Sequence, residues 1–318
     1  MLEKMFVKKI ILLCALSFSF FLLCLVPKNK TLKFKQELEY VSYENTKGVI
    51  YLLDSNNYVA RTTIALSNDE IEKKAKELLE ILIKDGKGES KIPNGFKSLI
   101  SSDTKINSIF YDENVLKVDF SSELLDNKIE NEEKVIEAIV YTLTSIEGVD
   151  KIIIYVDGDI LSKLPKTGIN LPSTLDKSYG INKKYDLSTY QNINKVTTYY
   201  VSKFNDITYY VPVTKYTNDS KEKIKIIIDE LASSNLYSSN LMSYLNSNTV
   251  LLSSELEDKQ LSLVFNNYIL NDLTTNNILE EVIYTISLSV EANYDVEEVN
   301  FIVEDNEIYK SVIKTLEN

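Results

Sequence analysis

The chain has 318 residues, 44% of them hydrophobic and 26% charged, with a net charge of −12 and no histidine. That length suits about two domains of 100–150 residues, each large enough to bury its own core. Without His there are no Ser-His or Cys-His nucleophile pairs, no His general base and no His-ligated metal, and so acidic a chain disfavours nucleic acid, whose phosphates call for a basic face.

Lys4, Lys8 and Lys9 precede an apolar or small run from Ile10 to Val26, which Pro27 and Lys28 close. A basic start followed by an apolar stretch is an export signal. Residues 1–30 are therefore expected to be a signal or membrane anchor, with the rest of the chain outside the cytoplasm. Both cysteines, Cys14 and Cys24, fall in this run. Cys24 is the candidate lipid-attachment residue, although Leu23 before it is larger than the small residues usual there. An uncleaved apolar anchor is the first expectation, and lipid attachment at Cys24 is the alternative. Beyond the run there is no disulfide, thiolate nucleophile or Cys-bound zinc.

Residues 31–46 are polar and read as a stalk. The first domain is expected over 47–165. Gly48 to Leu53 and Tyr58 to Leu66 read as strands joined at Asp54-Ser55-Asn56-Asn57. Asn68 and Asp69 offer an N-cap to a helix over 70–84, in which Ile71, Ala75, Leu78, Leu79 and Leu82 form one stripe. Pro93-Asn94-Gly95 is a turn. Asn107 to Tyr111 and Val115 to Phe120 form a hairpin, with Leu116, Val118 and Phe120 on one face and Lys117 and Asp119 on the other. Glu132 to Ile146 reads as a helix and Lys151 to Val156 as a strand. Residues 166–195 carry Pro172, Gly168 and Gly180 and no clear period, and read as a linker. The second domain, 196–318, places strands at Val196 to Val201 and Thr208 to Val213, a helix at Lys221 to Leu231 and a strand at Leu261 to Phe265. A helix at Ile278 to Val290 and a strand at Val299 to Val303 complete it. It has no glycine.

Three blocks recur in order. Val115-Leu116-Lys117-Val118-Asp119-Phe120 is matched by Gln260-Leu261-Ser262-Leu263-Val264-Phe265. Glu137-Ala138-Ile139-Val140-Tyr141-Thr142-Leu143-Thr144 is matched by Glu280-Glu281-Val282-Ile283-Tyr284-Thr285-Ile286-Ser287. Val149 to Asp157 is matched by Val296 to Glu304. The chain thus holds one α+β domain twice. Each copy is expected to be a small mixed sheet with two helices packed on one face.

Ile92-Pro93-Asn94-Gly95, the Val115 to Ser121 strand, the Ile139 to Thr144 helix and Gly148-Val149-Asp150-Lys151-Ile152 resemble the GerM domain of spore-forming Firmicutes. In the second copy Tyr210-Val211-Pro212-Val213-Thr214-Lys215 is similar to that family's early strand. The resemblance covers nearly all of 47–165 and, more weakly, 196–318. It implies a ring-building-like fold and an exported, membrane-anchored protein needed for sporulation or germination. It also implies work in the space between mother cell and forespore, with the ring-forming envelope proteins of the sporulation channel as partners. The family brings no catalytic residues, cofactor or metal.

The residues themselves leave other readings to weigh. Asp119 with Glu123, or Asp157 with Asp159, are the carboxylate pairs that a glycan-cleaving enzyme would need. Glu130-Asn131-Glu132-Glu133 is an acidic cluster that suits a solvated helix N-terminus better than a cation loop. Tyr199-Tyr200 and Tyr209-Tyr210 read as strand-packing aromatics before sugar platforms. Lys117 and Asp119 are charges of the kind that blunt a sheet edge. Leu164-Pro165-Lys166-Thr167-Gly168 matches a sorting signal without the apolar tail that such a signal requires. The expectation is a non-enzymatic assembly component of the envelope. An envelope solute-binding or sensor lipoprotein, with a pocket between the domains, is the alternative.

Overall fold

The computed structural model describes residues 46–233, 240–272, 274 and 276–313; Cys24 and the apolar run before it lie outside them. Among the described residues no helix is long and apolar enough to cross a membrane.

In the first copy the strands are β1 (Thr46–Asp54), β2 (Val59–Leu66), β3 (Phe96–Lys97), β4 (Ile106–Asp112), β5 (Val115–Phe120), β6 (Lys151–Val156) and β7 (Asp159–Ile160). Its helices are α1 (Ile71–Leu82) and α2 (Ile129–Leu143). β8 (Lys184–Asp186) lies in the segment between the copies. The second copy holds β9 (Asn194–Phe204), β10 (Ile207–Thr217), α3 (Lys223–Ala232), β11 (Leu251–Glu257), β12 (Gln260–Phe265), α4 (Glu280–Glu291), β13 (Glu298–Val303) and β14 (Asn306–Val312).

The strands of each copy do not share one sheet, as the sequence suggests; they divide between two. β4-β5-β6-β7 and β11-β12-β13-β14 are separate four-stranded sheets, mixed because β5 runs parallel to β6 and β12 parallel to β13. The leading hairpins, β1–β2 and β9–β10, leave their own copies and meet in a six-stranded sheet that also takes β3 and β8. The two early strands of each copy are apolar on both faces, with Val49 to Leu52 and Val196 to Val201 almost wholly buried. Such strands need cover on their faces, which the helices packed on β1, β2 and β9 help supply, while the shared sheet pairs their edges.

The helices stand between these sheets. α1 packs on β4 and on α2, while α2 lies against β1 and β2; α3 and α4 repeat this on β11 and β9. Ten of the fifteen residues of α2 are buried, so it packs on more than one side. α1 starts at Glu70 with no side-chain cap, unlike the cap expected from Asn68 or Asp69. Asn68 Nδ2 and Ser67 N donate instead to Glu77, one turn inside the helix.

Duplication is visible in geometry. β5 and β12 have the same alternating burial, with Leu116, Val118 and Phe120 answering Leu261, Leu263 and Phe265. β4 and β11 both break register after their first paired residue, at Ile106/Ser108 and Leu251/Ser253. The helix block corrects the sequence alignment. Tyr51 N donates to Thr142 Oγ1 at 3.0 Å and Tyr199 N to Ser289 Oγ at 2.8 Å. Thr142 therefore corresponds to Ser289, not to Thr285, a displacement of one helical turn. Burial agrees: Val135, Ile136, Ala138 and Ile139 answer Val282, Ile283, Thr285 and Ile286. A 3.6-residue apolar period looks the same after a four-residue slip, and the Tyr-Thr pairs at 141 and 284 favoured the wrong register.

The two copies are joined around an approximate two-fold axis. Tyr51 and Tyr199 occupy equivalent places, and their hydroxyls meet at 2.7 Å. Arg61 of β2 pairs with Tyr210 of β10 in antiparallel register. Continuing that register brings Val59 opposite Pro212, the symmetry-related position, where proline has no N–H to donate. Asn182 fills this gap. Its Nδ2 donates to Val59 O at 2.8 Å and Pro212 O at 2.7 Å, and its Oδ1 accepts from Val59 N at 2.9 Å.

The segment between the copies is packed from 161 to 181, where Leu161, Leu164, Leu171, Leu175 and Ile181 are buried, and is mostly exposed from 184 to 193. Leu175 exchanges two backbone hydrogen bonds with Ile152 of β6. Buried apolar side chains of both copies form one cluster. The Pro93-Asn94-Gly95 turn abuts the tip of the β9–β10 hairpin. Gly95 has φ +92°, and a Cβ there would lie 2.5 Å from Phe204 Cγ. Gly95→Ala is expected to cost about 2 kcal/mol in urea unfolding, because a left-handed backbone and a steric clash act together. An unchanged midpoint would show that Phe204 moves aside freely.

Candidate interaction face

The acids singled out in the sequence serve to hold chain to chain. Asp119 accepts from Gly158 N at 3.0 Å and from Asn107 Nδ2 at 3.3 Å, so it secures the β6–β7 turn and the β4 bulge. Glu123 is partly exposed, and its hydrogen bond with the Ser121 side chain holds its carboxyl below the usual range. Asp157 has φ +50° beside Gly158 at +87°, which makes it a hairpin turn residue. Asp159 opens β7 and is exposed.

The acidic start of α2 is not the solvated helix end that the sequence suggests. Glu132 is 3% exposed and accepts from Lys166 N and Thr167 N at 2.8 and 2.6 Å. The Leu164 to Gly168 stretch is thereby folded into a turn on α2. Glu133 pairs with Lys183 at 2.6 Å, and the Lys183 ammonium lies 3.4 Å from the centre of the Tyr179 ring. Glu137 is 2% exposed and accepts from Asn182 N at 2.9 Å, with Lys183 4.0 Å away. Burial outweighs these partners and pushes the Glu137 carboxyl up to about 7. Among the described residues no group of three or more Asp, Glu, Cys or His converges to hold a metal ion.

The tyrosine pairs are structural as well. Tyr199, Tyr200 and Tyr209 are buried. Tyr209 Oη donates to Asp54 Oδ2 at 3.0 Å across the junction of the copies, and Tyr210 stacks on Tyr284 with ring centres 5.5 Å apart. Beside this junction a cleft of about 630 Å³ is lined by Gly48, Val49, Leu78, Ile146, Val296 and Ile313. The Lys177–Glu291 ion pair, 2.9 Å long, stands at its wall.

The candidate interaction face is the outer face of the β4-β5-β6-β7 sheet. Register places Phe110, Lys117 and Ile153 in one row across three strands. Asp119, Tyr155 and Ile160 form the next row. Phe110 is 55% exposed and Ile160 46%. Lys117 extends over Phe110, its ammonium 5.3 Å from the ring centre, and reaches Asp112 at 3.9 Å. Lys117 and Asp119 thus sit on an inner strand, β5, and do not guard an edge; the edge strand is β4. In the second copy the matching positions of Phe110, Lys117 and Ile153 are Glu255, Ser262 and Asn300. The faces differ in this row, which is apolar at both ends in the first copy and polar in the second, while the next row of the second copy holds Val264 and Ile302. Sequence reasoning missed Phe110 and Ile160. The signal was present in Ile109-Phe110-Tyr111, where an apolar residue stands on each side of the strand.

Comparison with known proteins gives a consistent result. A family model described as "Germane: Sporulation and spore germination" matches residues 49–162. The spore germination protein GerM of Bacillus subtilis (strain 168) is 31% identical over 256 residues, covering 79% of this chain and 69% of that protein. The solved structure of the tandem GerMN domains of the sporulation protein GerM from Bacillus subtilis matches with a TM-score of 0.75 and 29% identity. That match covers 83% of this chain and 93% of the other. The mixed α+β fold is therefore shared with a tandem pair.

Proposed function

Because the chain belongs to the GerM family of sporulation and spore germination proteins, we propose that it is a non-enzymatic assembly component of the cell envelope needed for sporulation. In this reading it is anchored through its N-terminal apolar segment, with Cys24 as the attachment residue only if the anchor is a lipid, and faces the space between mother cell and forespore. It acts by packing against the ring-forming proteins of the channel that joins the two cells, with the anchor raising its local concentration.

The observation that carries the reading is the contrast between the copies. One four-stranded sheet carries exposed Phe110 and Ile160 and half-buried Ile153 and Tyr155 on its outer face, where the row of its duplicate that matches Phe110 and Ile153 holds exposed Glu255 and buried Asn300. Half-exposed aromatic and aliphatic groups ringed by charge are the composition of a protein–protein contact. The reading is also supported by the carboxylates, which are engaged in turns, capping and ion pairs.

Deletion of the gene is expected to lower the count of heat-resistant spores by several orders of magnitude while vegetative growth stays normal. Complementation with Phe110→Glu/Ile160→Glu, both exposed and so compatible with folding, is expected to fail while the wild-type gene restores spores. Normal spore numbers after deletion would sink the sporulation reading and turn attention to the junction cleft as a solute site. Full rescue by the double variant would remove the first sheet as the partner face.

A further inference from the structure

The two copies provide an internal control on their outer sheet edges. In the first copy β4 is the edge strand, and α1 closes it: Glu72 Oε1 accepts from Tyr111 N at 2.9 Å. The Tyr111 side chain is tied down as well, its hydroxyl donating to Gly148 O at 3.0 Å. Register makes Leu256 of β11 the counterpart of Tyr111, since each lies one residue past the partner of its copy's matching β-strand position, Lys117 or Ser262. Among the described residues no side chain caps Leu256 N. The residue nearest the place of Glu72 is a lysine, Lys221, two positions before α3, and it pairs with Asp219 and Asp229.

The open edge is also chemically distinctive. Of the thirteen large apolar residues most exposed among the described residues, three fall within seven positions on this strand and its approach: Val250 (51%), Leu252 (61%) and Leu256 (50%). An edge strand with no such cap among the described residues is a template for pairing, and proteins usually protect such edges. Its two faces differ. Leu256 pairs with Leu261 and so lies on the core side, while Glu255 and Glu257 pair with Ser262 and Gln260 on the outer side. Asp258 follows them, and no basic residue occurs from Val250 to Asp258.

The geometry points to β11 as an acceptor for an extended segment of another protein in which apolar residues alternate with Lys or Arg. An added strand sets successive side chains on opposite faces. Its apolar residues would continue the core beside Leu256, and its basic residues would stand beside Glu255 and Glu257. Backbone pairing supplies affinity, and the alternation supplies specificity. This site lies on the second copy and does not depend on the apolar face of the first.

The test uses the full-length chain in detergent and a fluorescent peptide of alternating Lys and Val. Anisotropy is expected to show saturable binding, and hydrogen exchange to slow at 251–257 and not at 106–112. Leu252→Lys/Leu256→Lys is expected to weaken binding at least tenfold with circular dichroism unchanged. Glu255→Lys/Glu257→Lys is expected to transfer preference to a Glu-Val peptide. Protection spread over the acidic surface, or a charge-reversed variant that still prefers the basic peptide, would mean attraction to the net charge of −12 alone and would overturn the proposal. Absence of binding would overturn it as well.

Discussion

Asn182→Ala is expected to destabilise the tandem by about 3 kcal/mol and to separate the unfolding of the two copies. The wild-type side chain answers three backbone groups, Val59 N, Val59 O and Pro212 O. Removing it leaves them facing one another inside a junction that water reaches poorly, and each unsatisfied buried group costs roughly 1–3 kcal/mol, reduced where a water can enter. The contact with most to lose is the β2–β10 pairing, which is a single bridge at Arg61 and Tyr210. Urea unfolding followed by tyrosine fluorescence is expected to change from one transition to two. A single transition at the wild-type midpoint would show that the junction is held by the Tyr51–Tyr199 contact and the shared core instead. Asn182→Asp discriminates further. It keeps the acceptor for Val59 N but sets a carboxylate against two carbonyls, so it is expected to be at least as damaging as alanine.

Glu137→Gln is expected to stabilise the protein at pH 8 by up to about 3 kcal/mol and to have little effect at pH 4. Glu137 titrates near 7 in the folded protein because burial disfavours its charge, against 4.5 for the free side chain. Between those values the folded state holds a proton that the unfolded state has released, so stability falls as pH rises from about 4.5 to 7. The full cost of the buried charge is then present above 7; a gap of this size corresponds to about 3 kcal/mol. The groups that face Glu137 are Asn182 N, Lys183, Glu133 and Lys134, and the shift already reflects them. Glutamine has the same shape and no charge to bury. Unfolding free energies measured from pH 4 to 8 are expected to lose this slope in the variant. Parallel curves would place the pH dependence elsewhere.

Much of the architecture is legible in the sequence where burial enforces a period. Lys151 to Val156 is a strand as expected, and Leu116, Val118 and Phe120 face inward as their alternation requires. The pairing of the leading hairpins across copies is not legible. A strand's partner is not encoded by its own alternation, and Val49 to Leu52 would be buried against any sheet. β11 and β14 escaped because Ser253-Ser254-Glu255 and Asn306-Glu307 are too polar to register as half-buried strands. The segment between the copies looked like a tether because its buried residues, Leu161, Leu164, Leu171 and Leu175, follow no helical or strand period. They fill gaps in a fold made by other elements. For the candidate face, Lys117 and Asp119 drew notice by charge, while Phe110 gained meaning only when register set it beside Ile153.

The near-symmetry of the junction has a consequence for stoichiometry. A two-fold contact is self-saturating: each half satisfies the other, and no third copy can join through it. Tyr51 and Tyr199 have each already taken the other's hydroxyl, and β2 has already taken β10. The tandem is therefore a closed pair in covalent form, and growth into a larger assembly has to use surfaces outside the axis. Those surfaces are not equivalent, since one end carries Phe110 and the other Glu255. Any larger assembly that uses both ends accordingly has a direction, although its repeating unit is built around a near dyad.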